Sequence, residues 1–147
     1  MTTQVSYGII GVNKDTGKVL VILQHKRNGT QYTFPKGMLS RSRDDITTLE
    51  GRRALAEAAL LRETRLSVAR YLSEREFESE YFDGRFMKQV YLWLAEVTGT
   101  VRALPGQVHG YEWVAPDALQ ARLTYREDQG IAERACHEVL AMAAAST

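Results

Sequence analysis

From about residue 47 to Leu66 the chain is built largely from Ala, Leu, Glu and Arg, all good helix formers, and segments patterned as strands lie on both sides of it. This change of period limits the fold more than any other feature. Strands, helix, strands, helix, without regular alternation, describes a mixed α/β layer structure. Upstream, Val5 to Val12 reads as a strand and Asn13 to Gly17 as a turn. Lys18 to His25 follows as a second strand around Val19-Leu20-Val21-Ile22-Leu23, and the two make a hairpin. Asn28-Gly29 marks a further turn before the short extended piece Tyr32-Thr33-Phe34, which stops at Pro35. Downstream, Tyr71 to Phe82, Met87 to Val97 and Gly110 to Val114 read as strands, the second rich in aromatic and β-branched residues. From about Arg126 to Ala144 the chain reads as an amphipathic helix with Ile131, Ala135, Val139 and Met142 on one side.

Within the first helical segment, Thr47 and Glu50 have capping-box spacing, and Leu49, Ala56, Leu60 and Leu61 fall near one face. With no repeat, low-complexity linker or second pattern, residues 1–147 are expected to form one domain. Composition enters by exclusion. The 19 basic and 18 acidic side chains leave a net charge of +1, without the excess of one sign that a nucleic-acid coat or membrane-surface patch needs. The single cysteine, Cys136, rules out an internal disulfide. No signal-peptide pattern opens the chain, and no window approaches the roughly 18 apolar residues of a spanning helix. The expected address is the cytoplasm, and a homodimer is compatible with the sequence.

Phe34-Pro35-Lys36-Gly37, a polar stretch from Ser40 to Asp45, and a helix holding Glu50 and Arg62-Glu63-Thr64 resemble the Nudix box, GX5EX7REUXEEXGU with U aliphatic. A loop at a helix start brings backbone amides and the positive end of the helix dipole towards phosphates. Glutamates on one helix face bind hard divalent cations through oxygen. One register places Glu63 on the last glutamate of the motif and Glu50 on its first, with Leu60 and Leu66 on aliphatic positions. In that register the Arg-Glu pair becomes Ala58-Ala59, the first glutamate of the Glu-Glu pair becomes Arg62, and the terminal glycine becomes Arg65. The stretch between Gly37 and Glu50 is also about seven residues longer than the pattern. A rival register puts Arg62-Glu63 on the motif's Arg-Glu pair and Leu66-Ser67 where two glutamates belong. The first is preferred, and neither recovers a full acidic set.

Lys88 to Val97, followed by Gly110-Tyr111-Glu112-Trp113-Val114, is similar to strands of the diadenosine tetraphosphate hydrolases of the same family. A metal-holding glutamate of those enzymes is matched here by Gln107. The resemblance implies an α/β/α sandwich, with a mixed sheet between the box helix and the C-terminal helix. It further implies Mg2+- or Mn2+-dependent hydrolysis of a nucleoside diphosphate derivative, a dinucleoside polyphosphate being favoured. Glu63 and Glu50 would serve as catalytic and metal-binding residues, and Lys36, Gly37, Arg62, Lys88 and Tyr81 would bind the substrate. The competing reading is a Nudix-fold module that holds a nucleotide without cleaving it, which the loss of helix glutamates favours.

Other residues carry weaker signals. Glu74, Glu76, Glu78 and Glu80 alternate, so on a strand they share a face, either as a solvated row or as replacement carboxylates. Tyr81, Phe82, Tyr91 and Tyr111 are base-stacking or core residues. His25, His109 and His137 lack metal-ligand spacing, and Cys136 sits on the amphipathic helix.

Overall fold

A computed structural model describes residues 3–26, 29–38, 48–82, 84–102 and 108–145. In chain order the elements are β1 (Thr3–Asn13), β2 (Val19–Lys26), β3 (Gly29–Thr33), β4 (Lys36–Met38), α1 (Leu49–Thr64), β5 (Ser67–Tyr71), β6 (Phe77–Phe82), β7 (Met87–Thr98), β8 (Gly110–Val114), α2 (Pro116–Arg122) and α3 (Arg126–Ala145). The central pair is β1 and β7, parallel from Thr3↔Met87 to Asn13↔Val97. All other strand pairings among the described residues are antiparallel, so the sheet is mixed.

Side-chain alternation along the central strands builds two cores. Tyr7 and Ile9 of β1, Leu20 and Ile22 of β2, and Trp93 and Ala95 of β7 pack with Ala56 and Leu60 of α1. Ile10 and Val12, Val19 and Val21, and Leu92 and Leu94 point the other way, onto Leu119 of α2 and Ile131, Ala132 and Ala135 of α3. Strand period two, with both faces covered by helices, gives the expected α/β/α sandwich.

Several local expectations need correction. The N-cap of α1 is Thr48, whose Oγ1 accepts Gly51 N–H at 3.0 Å. Glu50 is therefore the second helical residue and is out of capping-box position; Thr47 lies outside the described residues. Leu49 and Leu61 are exposed, while Ala56, Ala59, Leu60, Glu63 and Thr64 form the buried face. Tyr71 to Phe82 is not one strand. The N–H groups of Leu72 and Ser73 both turn to the Leu94 carbonyl, at 2.8 and 3.3 Å, which interrupts a regular ladder. Glu74 and Glu76 thus lie between strands, and only Glu78 and Glu80 alternate on β6. Three short elements, β4, β5 and α2, have no counterpart in the sequence reading.

The hairpin exists only at its turn. Between β1 and β2 the recorded pairing is Val12↔Val19, after which β2 pairs instead with β3 and β8. β1 turns to β4 and β7. The two strands diverge from the turn and leave a V-shaped opening in the sheet. Gly8 lets β4 approach the open end. A Cβ there would stand 2.2 Å from the Pro35 carbonyl and 2.6 Å from Lys36 Cβ, and the adjacent Ile9 N–H donates to that carbonyl at 3.2 Å.

Candidate active site

A cavity of about 710 Å³ fills the opening of the V. Ser6 of β1, Gln24 of β2, and Gln31 and Thr33 of β3 supply neutral polar groups, while Phe34 and Val90 supply apolar floor. Two ammonium groups, Lys36 and Lys88, and two carboxylates, Glu63 and Glu127, give it mixed charge, and Tyr81 and Tyr125 form wall.

Lys36 is anchored twice. Its backbone N–H donates to Glu63 Oε1 at 3.0 Å, tying the last turn of α1 to the start of β4. Its Nζ donates to Thr33 Oγ1 at 2.7 Å, and that hydroxyl donates to Asp128 Oδ2 at 2.8 Å. Thr33 and Asp128 are both buried and Lys36 is half-buried, so the chain Lys36–Thr33–Asp128 runs from the cavity into the interior. A second clamp joins α3 to β3, with the Tyr125 hydroxyl donating to Gln31 Oε1. Burial raises the Tyr125 pKa above the usual tyrosine value, and the negative charges of Asp128 and Glu127 raise it further. Lys88 Nζ donates to Gln4 Oε1 across the parallel pair.

The end of α1 decides between the two motif registers. Arg65 caps the helix with φ 68° and ψ 13°, its N–H still donating to the Leu61 carbonyl at 2.9 Å. Among the described residues it is the one non-glycine with positive φ. That left-handed conformation is what the motif's terminal glycine supplies without strain, and the preferred register places Arg65 there. The rival register needs Leu66 and Ser67 on the helix. Both lie beyond it, Leu66 buried and Ser67 opening β5. On the face of α1 turned to β4 the three positions are then Ala59, Arg62 and Glu63. A Cβ on Gly37 would meet Arg62 Nη2 at 2.5 Å and Ala59 Cβ at 3.1 Å.

Of the seven residues singled out in the sequence, Glu63, Lys36, Lys88 and Tyr81 line the cavity. Gly37 and Arg62 meet beside it, on the α1 side of β4. Glu50 does not join them. It is exposed in the first turn of α1, Glu63 is buried in the last, and the helix rise separates them by about 20 Å. The two carboxylates cannot share one cation. Among the described residues no group of three or more His, Cys, Asp or Glu side chains is placed to hold a metal. Gln107 lies outside the described residues.

The aromatic candidates divide. Tyr91 stacks on Tyr7 at 5.4 Å between centroids on the α1 face, and Phe82 and Tyr111 are exposed away from the cavity lining. His25 and His109 contact one another, with His25 N–H donating to His109 Nδ1 at 3.1 Å. Sequence reasoning missed Thr33, Gln31, Tyr125 and Asp128. Acidic residues such as Glu127 and Asp128 are ordinary in a first helical turn. Only a contact spanning 95 residues gives Asp128 its role.

A family model described as NUDIX domain matches residues 2–134. Among solved structures, the E. coli ORF135 protein superimposes with a TM-score of 0.70 at 15% identity, covering 99% of this chain and 94% of that one. A MutT protein from Methanosarcina mazei Go1 gives 0.73 at 13% identity, covering 93% and 95%. A C. elegans Ap4A hydrolase in a binary complex gives 0.72 at 17% identity, covering 96% and 98%. At these identities the likeness is one of fold. No curated protein matched the chain. Among the described residues no helix is long and apolar enough to cross a membrane.

Proposed function

The chain belongs to the Nudix domain family, and on that premise we propose that it hydrolyses a phosphoanhydride bond of a nucleoside diphosphate derivative, with a dinucleoside polyphosphate as the favoured substrate. The observation that carries this reading is the buried Glu63 carboxylate, fixed by the Lys36 N–H in a cavity shared with the Lys36 and Lys88 ammonium groups. The ammonium groups bind and orient phosphate oxygens as point charges. Thr33, backed by Asp128, holds the Lys36 Nζ in place for that contact. Tyr81 offers a ring on the wall against which a nucleobase can lie. Water attacks phosphorus, the bridging P–O bond breaks, and its electron pair leaves on the departing phosphate. Glu63, the buried one of the two carboxylates that line the cavity, orients that water and takes its proton.

The residues fit Mg2+ or Mn2+ in one form only. Magnesium is commonly held by one or two carboxylates plus substrate phosphates and water, and Glu63 would be a protein ligand in that arrangement. When bound there, the ion supplies charge neutralisation and polarises phosphate and water. The second reading, a nucleotide-binding module without turnover, is favoured by Ala59 and Arg62, which bring no carboxylate to the face of α1 beside β4.

Product release from a panel of nucleoside diphosphate derivatives and dinucleoside polyphosphates, with Mg2+ or Mn2+, separates the two. Turnover should fall about a hundredfold or more in Glu63→Gln and stay within about twofold in Glu50→Gln, whose side chain is exposed at the far end of α1. No turnover on any compound, with nucleotide binding retained, would replace the hydrolase reading with the binding one.

A further inference from the structure

We infer that Arg62 is a built-in phosphate-binding cation at the rim of the cavity, so that a polyphosphate is held there without a divalent ion. This deepens the proposed function and rests on the cavity being the polyphosphate site.

The last turn of α1 meets β4 with two consecutive side chains of opposite charge. Glu63 lines the cavity and receives the Lys36 N–H. Arg62 lies against the next residue, Gly37, with Nη2 only 2.5 Å from where a Cβ would stand. A side chain at position 37 would push the guanidinium out of that place. Ala59, 3.1 Å from the same point, is too short to compete for the space. A cation serving only the negative end of the helix dipole could point to solvent from any position in the last turn. This one lies in a recess made by two small residues.

Among the described residues Arg62 takes part in no ion pair, and it is exposed beside the cavity. A planar guanidinium meets phosphate oxygens through two parallel hydrogen bonds, which an ammonium cannot do. With Lys36 and Lys88 it makes three positive side chains around the site, against the carboxylates of Glu63 and Glu127. A divalent ion beside Gly37 would meet repulsion from Arg62 and no oxygen from either Ala59 or Arg62. The charge that a second metal would bring is already present in the side chain.

The test is calorimetric titration of the full chain with inorganic pyrophosphate, in chelator and in Mg2+. The native protein should bind in chelator. Arg62→Gln should weaken that binding about tenfold or more, with Arg62→Lys intermediate. Gly37→Ala should weaken the native protein by dislodging the guanidinium, yet have little further effect in the Arg62→Gln background.

Binding of the native protein only when Mg2+ is present would overturn the inference, and that arm needs no variant to fold. Unchanged affinity in Arg62→Gln, or an equal loss from Gly37→Ala in both backgrounds, would also overturn it. Metal-free binding without turnover on any compound would remove the hydrolase reading and keep this one. Turnover with Mg2+-dependent binding would do the reverse.

Discussion

Arg65→Gly probes how α1 is joined to the sheet. Arg65 sits at φ 68° and ψ 13°, where a Cβ crowds the following carbonyl at a cost of about 1–2 kcal/mol. Glycine removes that cost but enlarges the conformational freedom of the unfolded chain, which returns about 0.4–1 kcal/mol. The cap hydrogen bond, Arg65 N–H to the Leu61 carbonyl at 2.9 Å, is a backbone bond and survives the change. Arg65 is exposed, and its charge near the helix C-terminus contributes roughly 0.3–1 kcal/mol. Arg65→Ala loses that charge while keeping the Cβ, so the glycine-minus-alanine difference isolates the backbone effect. We expect Arg65→Gly to be more stable than Arg65→Ala by about 1 kcal/mol, near 3 °C in Tm for a chain of this size. Urea denaturation and thermal melts read the difference directly. Equal stability of the two variants, or a less stable glycine, would refute the left-handed cap and with it the placement of Arg65 on the motif's terminal glycine.

Thr33→Val keeps the shape of a buried side chain but strips a hydroxyl that joins Lys36 Nζ to Asp128. It should cost about 1–3 kcal/mol in urea denaturation and weaken pyrophosphate binding, with Thr33→Ser restoring both; native-like affinity in the valine protein would refute the anchoring role. Tyr71 is raised to a pKa above the usual tyrosine range by burial and by its hydrogen bond to Glu57, 2.6 Å from the hydroxyl. A raised folded-state value means the folded protein holds the proton longer, so this stabilisation is full below the unfolded value of about 10 and fades as pH rises beyond it. Melts from about pH 9 to 11.5 should show a shallower alkaline loss in Tyr71→Phe than in the native protein, only partly flattened because Tyr7, Tyr91 and Tyr125 are raised in the same sense. Identical pH profiles would contradict the assignment.

The layer order was legible in the sequence because it rests on local periodicity. Near-continuous apolar runs in Val19 to Leu23 and Val90 to Ala95 demand burial on both faces. The helix former composition before Leu66 and the amphipathic C-terminal segment supply the covers. Lys36 and Glu63 were also readable, since a short motif carried them and both line the cavity. Even the mismatch at Arg65 was visible as a letter, although its left-handed backbone was not.

What lay beyond the sequence is what depends on distance through space. Glu50 and Glu63 look like partners in a spacing rule, yet a continuous helix sets them about 20 Å apart. Asp128 looks like an ordinary first-turn acid, yet folding lays it against Thr33 from 95 residues away. The cavity itself exists because β1 and β2 diverge after Val12↔Val19, and strand pairing on both flanks, not the hairpin turn, dictates that divergence. Local propensity determined which segments became strands and helices; the competition among long-range pairings decided where they opened to leave a site.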